Sequence, residues 1–327
     1  MHVFITGGAG FIGSNLAKYH LDKGDSVHVV DDLSTGSLDN LHACRMHRNF
    51  SFTRADLLVW GELKAAVKPA DRVYHLAAIV GVKKVLEDPR AVMAINIAST
   101  ERVFRAIDEV NPTAKVLVAS SSEVYGFNEN KGFAETDDVV LRSGGRLRWC
   151  YAITKLTDEY LAYSFVKSSN LNVSIVRLFN TIGHHQTGKY GMVVPNFVRQ
   201  AVQNIPITIF GDGTQTRSFC DVRDTIRALD LLLSCEQANG EIVNVGNDHE
   251  ISITDLAKLI VARAKSTSTL QYETYEQAYG ESFEDITHRR PILDKLKRLT
   301  GFTPQWTLSQ TLDELIAQAR ATQAQAT

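Results

Sequence analysis

The chain has 327 residues, long enough to bury one large hydrophobic core or two modest ones. Its formal charge is −2 with acids and bases mixed along the chain, which gives no reason to expect a nucleic-acid partner or a membrane surface. Apolar residues at 44% and charged residues at 22% are ordinary for a globular protein, and no window approaches the ~18 uninterrupted apolar residues of a membrane span.

In chain order, residues 3–6, 26–30, 72–75, 115–120 and 174–179 are short runs that are mostly continuously apolar, as strands buried on both faces are. Between them, 12–23, 94–110 and 151–168 carry helical patterns. This βαβ rhythm predicts an α/β fold, a doubly wound parallel sheet with right-handed crossovers. After residue 180 the rhythm loosens. Turn-rich stretches at 184–191 and 211–216 separate helices expected at 194–203, 222–234 and 253–264, and the polar, Ala-rich tail at 317–327 is expected to fray. The expected organisation is a dinucleotide-binding domain over 1–180 and a smaller α/β domain over 181–327, mainly for substrate, with an interleaved boundary. The four cysteines, Cys44, Cys150, Cys220 and Cys235, have neither metal-ligand nor C-x-x-C spacing. The chain also enters its first strand with no basic segment or cleavage site before it, so a reduced, cytoplasmic protein without a metal is expected.

Thr6-Gly7-Gly8-Ala9-Gly10-Phe11-Ile12-Gly13 joins the first strand to the first helix. Gly7, Gly10 and Gly13 allow a tight turn, close approach to a pyrophosphate, and close packing of helix on strand. The helix start at Phe11 and Ile12 offers free N–H groups to the anion. The second strand ends at Asp31, at the offset where an acid binds the adenosine ribose hydroxyls and would repel a 2′-phosphate. NAD is therefore expected in preference to NADP.

Tyr151 and Lys155 lie four apart at a predicted helix start, so both side chains reach one face. A tyrosine is no base at its free pKa of ~10, but a neighbouring ammonium and the positive ring of an oxidised nicotinamide both favour the phenolate. Such a tyrosine takes the proton of a sugar hydroxyl as the carbon is oxidised, and Ser121, just past a predicted strand, hydrogen-bonds the same oxygen.

With these residues together the chain resembles the extended short-chain dehydrogenase/reductases, the NAD-dependent epimerase/dehydratase group acting on nucleotide-sugars. The resemblance runs nearly end to end. It includes the TGGAGFIG segment at 6–13, Asp31-Asp32-Leu33-Ser34-Thr35-Gly36, the Asp56-Leu57 pair expected to meet adenine, and His75-Leu76-Ala77-Ala78 expected near the nicotinamide. Ser120-Ser121-Ser122-Glu123-Val124-Tyr125-Gly126, Tyr151-Ala152-Ile153-Thr154-Lys155 and Arg177-Leu178-Phe179-Asn180 complete the first half. The resemblance implies a Rossmann fold, a catalytic trio of Ser121, Tyr151 and Lys155, Asn180 at the diphosphate, and an NAD that stays bound and is recycled through a transient 4-keto sugar. It also implies a homodimer through the helices at 94–110 and 151–168, and a UDP-sugar ahead of other nucleotide-sugars.

In the second half, the segment carrying Arg217 resembles the family's grip on the nucleotide, with Arg217 as a diphosphate partner. Tyr190-Gly191-Met192-Val193-Val194-Pro195 resembles the piece whose backbone meets the base. His184-His185 stands where many relatives carry Gly-Pro, and reads as loop rather than metal ligands.

The fate of the C4 ketone turns on few residues. Glu123 stands where dehydratases and UDP-glucuronate decarboxylases carry Glu, and Arg148-Trp149-Cys150-Tyr151 and His288-Arg289-Arg290-Pro291 are similar to decarboxylase segments, with Arg289 in the place of a catalytic arginine. An arginine facing Glu123 across C5–C6 suits decarboxylation. Against this, Ala78-Ile79-Val80-Gly81-Val82-Lys83 resembles the epimerase substrate loop, which makes Val82 a substrate contact. Ser122, also expected at the substrate, replaces the Asp that dTDP-glucose 4,6-dehydratases pair with Glu. The residues favour a UDP-glucuronate decarboxylase type, with a UDP-sugar 4-epimerase as the alternative and a dehydratase after it. A non-catalytic NAD-binding sensor is the rival outside enzymes, and the trio Ser121, Tyr151 and Lys155 speaks against it.

Overall fold

Apolar runs of the first 180 residues become parallel strands: β1 (His2–Thr6), β2 (Ser26–Asp31), β3 (Phe50–Arg54), β4 (Arg72–His75), β5 (Lys115–Ser121) and β6 (Asn172–Leu178). The computed structural model describes all residues except 143–145, 190, 280–285 and 327, and only the backbone of 82, 83, 279, 325 and 326. A seventh strand, Ile242–Val245, comes from the second half of the chain, and the sheet order is Ile242–Val245, β6, β5, β4, β1, β2, β3. Every pair in it is parallel. β3 is not legible in the sequence because Phe-Ser-Phe-Thr-Arg is an edge strand with no fully buried residue and no continuous apolar run.

Successive side chains of each strand serve opposite faces. Val3 and Ile5 of β1 enter one apolar cluster, with Leu16 and Ala17 of the helix Phe11–Asp22 and Leu229 and Leu232 of the helix Val222–Ser234. Phe4 enters the other, with Val103, Phe104 and Ile107 of the helix Pro89–Val110 and Ala162 of the helix Cys150–Ser169. Two cores thus sandwich one sheet, the doubly wound arrangement expected. The helix expected at 94–110 starts at Pro89, because Asp88 accepts the Ala91 N–H at 3.0 Å and proline suits the first helical position.

The second half adds the helices Val193–Val202, Ile253–Arg263 and Leu308–Ala326, joined in a third cluster through Phe197, Val198, Leu256, Ile260, Leu312 and Ile316. The tail at 317–327, expected to fray, instead continues that last helix through Ala326. Leu312 and Ile316 anchor its first turns, and Ala and Gln are good helix formers. A small sheet pairs Thr216–Ser218 with Glu250–Ser252 and, in parallel, with His288–Arg289, which places Arg289 in register with Arg217.

The order of the main sheet reverses between β1 and β4, so the loops after these two strands part and leave a crevice at their carboxyl ends.

Candidate active site

A cavity of about 910 Å³ fills that crevice and runs from the loops after β1 and β2 to the second half of the chain. Gly7 has φ +69°, and a Cβ there would lie 2.8 Å from Ala77 Cα. A Cβ on Gly13 would lie 2.4 Å from the Gly7 carbonyl oxygen. These two positions let helix and strand close on each other. The helix begins at Phe11 with no side chain capping it, and Gly10, Phe11, Ile12 and Gly13 line the cavity, which therefore meets an uncapped helix N-terminus.

Asp31 is buried at the end of β2, where Oδ2 accepts the Ala9 N–H at 3.0 Å and Oδ1 accepts the Leu33 N–H at 2.8 Å. Burial pushes its carboxyl up; the two N–H groups oppose this and neighbouring Asp32 adds to it, leaving the pKa raised. Asp32, Ser34, Thr35, Asp56, Leu57, Leu76, Ala77 and Ala78 line the cavity with it. Leu33 and Gly36 do not. Leu33, at φ +66°, packs its side chain on the core beside the glycine loop, and Gly36 is kept small by Asp31 Oδ1, 2.9 Å from where its Cβ would be.

Tyr151 and Lys155 project from the helix Cys150–Ser169 into the same cavity, and Ser121 reaches it from the end of β5. Ser121 Oγ accepts the Glu123 N–H at 3.2 Å, which starts the short 3₁₀ turn Ser122–Tyr125, and Ser121 stands near enough to Tyr151 to favour its ionised form. Burial pushes Tyr151 above its ordinary pKa, and Lys155 and Ser121 pull it down without cancelling that effect. The ammonium acts in the direction expected from the sequence, but burial outweighs it. Lys155 is 3% exposed, and its Nζ donates to Asp158 Oδ2 at 3.0 Å. Behind the pair, His75 is bonded on both ring nitrogens, to Thr6 Oγ1 at 2.8 Å and Thr100 Oγ1 at 3.0 Å, and burial drops its pKa to about 3.

Glu123 and Arg289, far apart in sequence, meet directly. Arg289 Nη1 donates to Glu123 Oε1, and Arg289 Nη2 donates to Asn180 Oδ1. A second guanidinium closes on the same carboxylate, with Arg148 Nη2 donating to Glu123 Oε2 at 3.2 Å. Asn180 in turn donates to the Ser218 carbonyl at 3.1 Å, and Arg217 donates to the carbonyls of Thr216 at 2.8 Å and Ile286 at 2.7 Å. Ser122, Val193 and Arg217 also line the cavity. The side chain of Val82 and all of Tyr190 lie outside the described residues.

Sequence reasoning singled out neither Arg148 as a partner of Glu123 nor Asp158 as a partner of Lys155. Arg148 stands in a recognisable motif, but only the fold turns it toward Glu123; Asp158 has a readable signal, an acid three residues beyond the lysine on a helix. Tyr275, which lines the far end of the cavity, has none. His184 and His185 are in a loop against the glycine-loop helix: His185 Nδ1 and Ser14 Oγ are hydrogen-bonded at 3.0 Å, and Asn15 donates to the His184 carbonyl at 2.9 Å.

An α/β enzyme that binds a dinucleotide along its strand ends is the class these elements define. The chain belongs to the NAD dependent epimerase/dehydratase family, whose model matches residues 3–246. It is 36% identical over 313 residues to a UDP-N-acetyl-alpha-D-glucosaminuronate decarboxylase of Bacillus cytotoxicus, covering 95% of each chain. It is 32% identical to UDP-glucuronic acid decarboxylase 2 of Arabidopsis thaliana, covering 98% of this chain and 68% of that one. Among solved structures it resembles a UDP-glucuronic acid 4-epimerase from Bacillus cereus in complex with UDP-glucuronic acid and NAD, at a TM-score of 0.88 and 27% identity over 98% of this chain and all of that one. The chain is an enzyme of the extended short-chain dehydrogenase/reductase type and uses NAD. The glycine-lined approach, the uncapped helix start and the buried Asp31 carboxylate fit that cofactor.

Proposed function

We propose that the chain is a nucleotide-sugar decarboxylase that removes CO2 from a UDP-hexuronate, UDP-glucuronate or its 2-acetamido counterpart, through a transient 4-keto sugar. The observation that carries this reading is the meeting of Arg148 and Arg289 with Glu123 at the cavity wall, which places two guanidiniums, a group matched in geometry to a carboxylate, beside an acid. The names of the two decarboxylase relatives support the substrate class.

The glycine loop and Asp31 would hold NAD, which when bound would supply hydride acceptance at C4 and its later return. Tyr151 receives the C4 hydroxyl proton, helped by the charge of Lys155, and Ser121 hydrogen-bonds the C4 oxygen. The ketone places the C6 carboxylate β to a carbonyl, so the electrons of the C5–C6 bond can pass to the C4 oxygen as CO2 leaves. Arg289 and Arg148 hold the carboxylate, and Glu123 relays a proton from solvent to C5, so that a C5–H bond replaces the C5–C6 bond that breaks. We assign the loop residues lining the cavity after β1 to β4 to NAD, and Asn180, Val193, Arg217 and Ser122 to the nucleotide-sugar; residues 1–180 thus serve mainly the cofactor and 181–327 mainly the substrate.

A second reading, 4-epimerisation of the same substrate class, is supported by the likeness to the Bacillus cereus epimerase. Incubation with UDP-glucuronate and its 2-acetamido counterpart, read by mass spectrometry and NMR, separates the two. Loss of CO2 supports decarboxylation, and unchanged mass with inverted C4 overturns it.

The protein further reads as a cytoplasmic homodimer. The helices Pro89–Val110 and Cys150–Ser169 pack side by side, and the second leaves Tyr160 69% exposed, a surface suited to a four-helix contact. Sedimentation showing a monomer would overturn the dimer.

A further inference from the structure

One buried acid near the reacting groups takes no part in the proposed chemistry. Asp158 lies three residues beyond Lys155 on the same helix face, and its side chain is completely buried. Its Oδ2 takes the Lys155 ammonium at 3.0 Å, while Oδ1 is buried with no hydrogen-bond partner. A carboxylate so enclosed is costly unless a charge compensates it, and here the ammonium supplies that charge.

The other titratable groups around Lys155 are already committed. Glu159, next on the helix, is bound through both oxygens by Arg177, each bond 2.8 Å. Glu123, beyond β5, is taken by Arg289 and Arg148. His75, at the end of β4, is neutral between two threonines, and the helix Pro89–Val110 brings uncharged Thr100. Tyr151, one turn back, is the group the ammonium is to act on. Among the described residues, Asp158 is the one acid joined to Lys155 by a hydrogen bond.

We infer that Asp158 is a positioning residue that keeps Lys155 an ammonium in its dry site, and so allows Tyr151 to lose its proton. The inference rests on Tyr151 and Lys155 having the roles proposed for them. Burial alone pushes Lys155 toward neutrality; Asp158, then Tyr151, outweigh it, and the lysine is held above its ordinary value. A bound nicotinamide ring, itself positive, adds to the need for this counter-charge. Without the carboxylate, the buried lysine relieves its cost by losing its proton, and Tyr151 loses its main electrostatic help.

The test follows the Tyr151 phenolate by difference absorbance across pH in the absence of substrate, as wild type minus Tyr151→Phe and as Asp158→Asn minus Asp158→Asn/Tyr151→Phe. The titration is expected to move up by about one pH unit in Asp158→Asn, a tenfold change in the ionisation equilibrium. The acidic limb of kcat should move with it, and the charge-keeping Asp158→Glu should return both toward wild type. An unmoved or downward-moved phenolate titration in folded Asp158→Asn overturns the inference. If Asp158→Asn does not fold, Asp158→Glu alone decides: a limb near wild type supports the role, and a limb displaced upward despite the retained charge overturns it. Failure of the underlying reading looks different, because Tyr151→Phe would then turn over normally.

Discussion

Arg289 donates to Glu123 with one guanidinium nitrogen and to Asn180 with the other, so a strand near the end of the chain closes a site built from the ends of β5 and β6. This contact makes Glu123 and Arg289 a pair with one expected signature. Glu123→Gln or Arg289→Met should lower CO2 release by ~10²–10³-fold while C4 oxidation, seen as NADH absorbance, persists. Single-turnover absorbance beside CO2 trapping checks this; equal loss of both steps would make the pair purely structural.

Tyr151→Phe removes the hydroxyl that stands near Ser121 and leaves the ring that packs near Cys150. Turnover should fall by ~10²–10⁴-fold with NAD still bound, because the loops proposed to hold NAD lie on other elements. Steady-state rates and the NAD content of the purified variant test both halves of this expectation.

Gly13→Ala puts a methyl 2.4 Å from the Gly7 carbonyl oxygen, where only backbone can yield. Overpacking of this kind costs ~1–3 kcal/mol. The variant should melt lower and bind NAD more weakly, since the same loop carries both effects. Thermal melts with and without NAD measure them, and an unchanged melt would contradict the close approach.

Acid should weaken the fold through its buried histidines. His75, with a pKa near 3, and His185, pushed by burial to about 4, take protons more readily unfolded than folded. Their contribution is complete above the unfolded value of ~6.5 and is lost as pH falls from there toward 4 and then 3. The raised carboxyls of Asp31 and Asp158 act in the opposite sense as pH falls toward the ordinary carboxylate range and blunt the loss. Urea midpoints at a series of pH values should fall between pH 6.5 and 4, and less steeply in His185→Asn than in wild type.

Much of the fold is legible in the sequence because it is local. The apolar runs of β1, β2, β4, β5 and β6, the Gly7–Gly13 loop and the four-residue spacing of Tyr151 and Lys155 each write their structure within a few residues. Arg148, Glu123 and Arg289 can be named from motifs, yet nothing in the sequence says that both guanidiniums close on one carboxylate; that comes from the register of His288–Arg289 with Thr216–Ser218. The balance at Tyr151 is hidden for a related reason, since burial is a property of the whole fold and Lys155 is visible from the sequence alone. β3 and Ile242–Val245 escape because an edge strand lacks an apolar run and a four-residue strand resembles any short apolar stretch.

The strand Ile242–Val245 covers the outer side of β6, and the helix Val222–Ser234 seals the core beneath it. A fragment ending near residue 180 would expose the unpaired edge of β6 and bare Leu117 and Val176 to water. The sheet is therefore complete only once residues more than sixty positions beyond β6 have joined it, which ties the folding of the first half to the synthesis of the second.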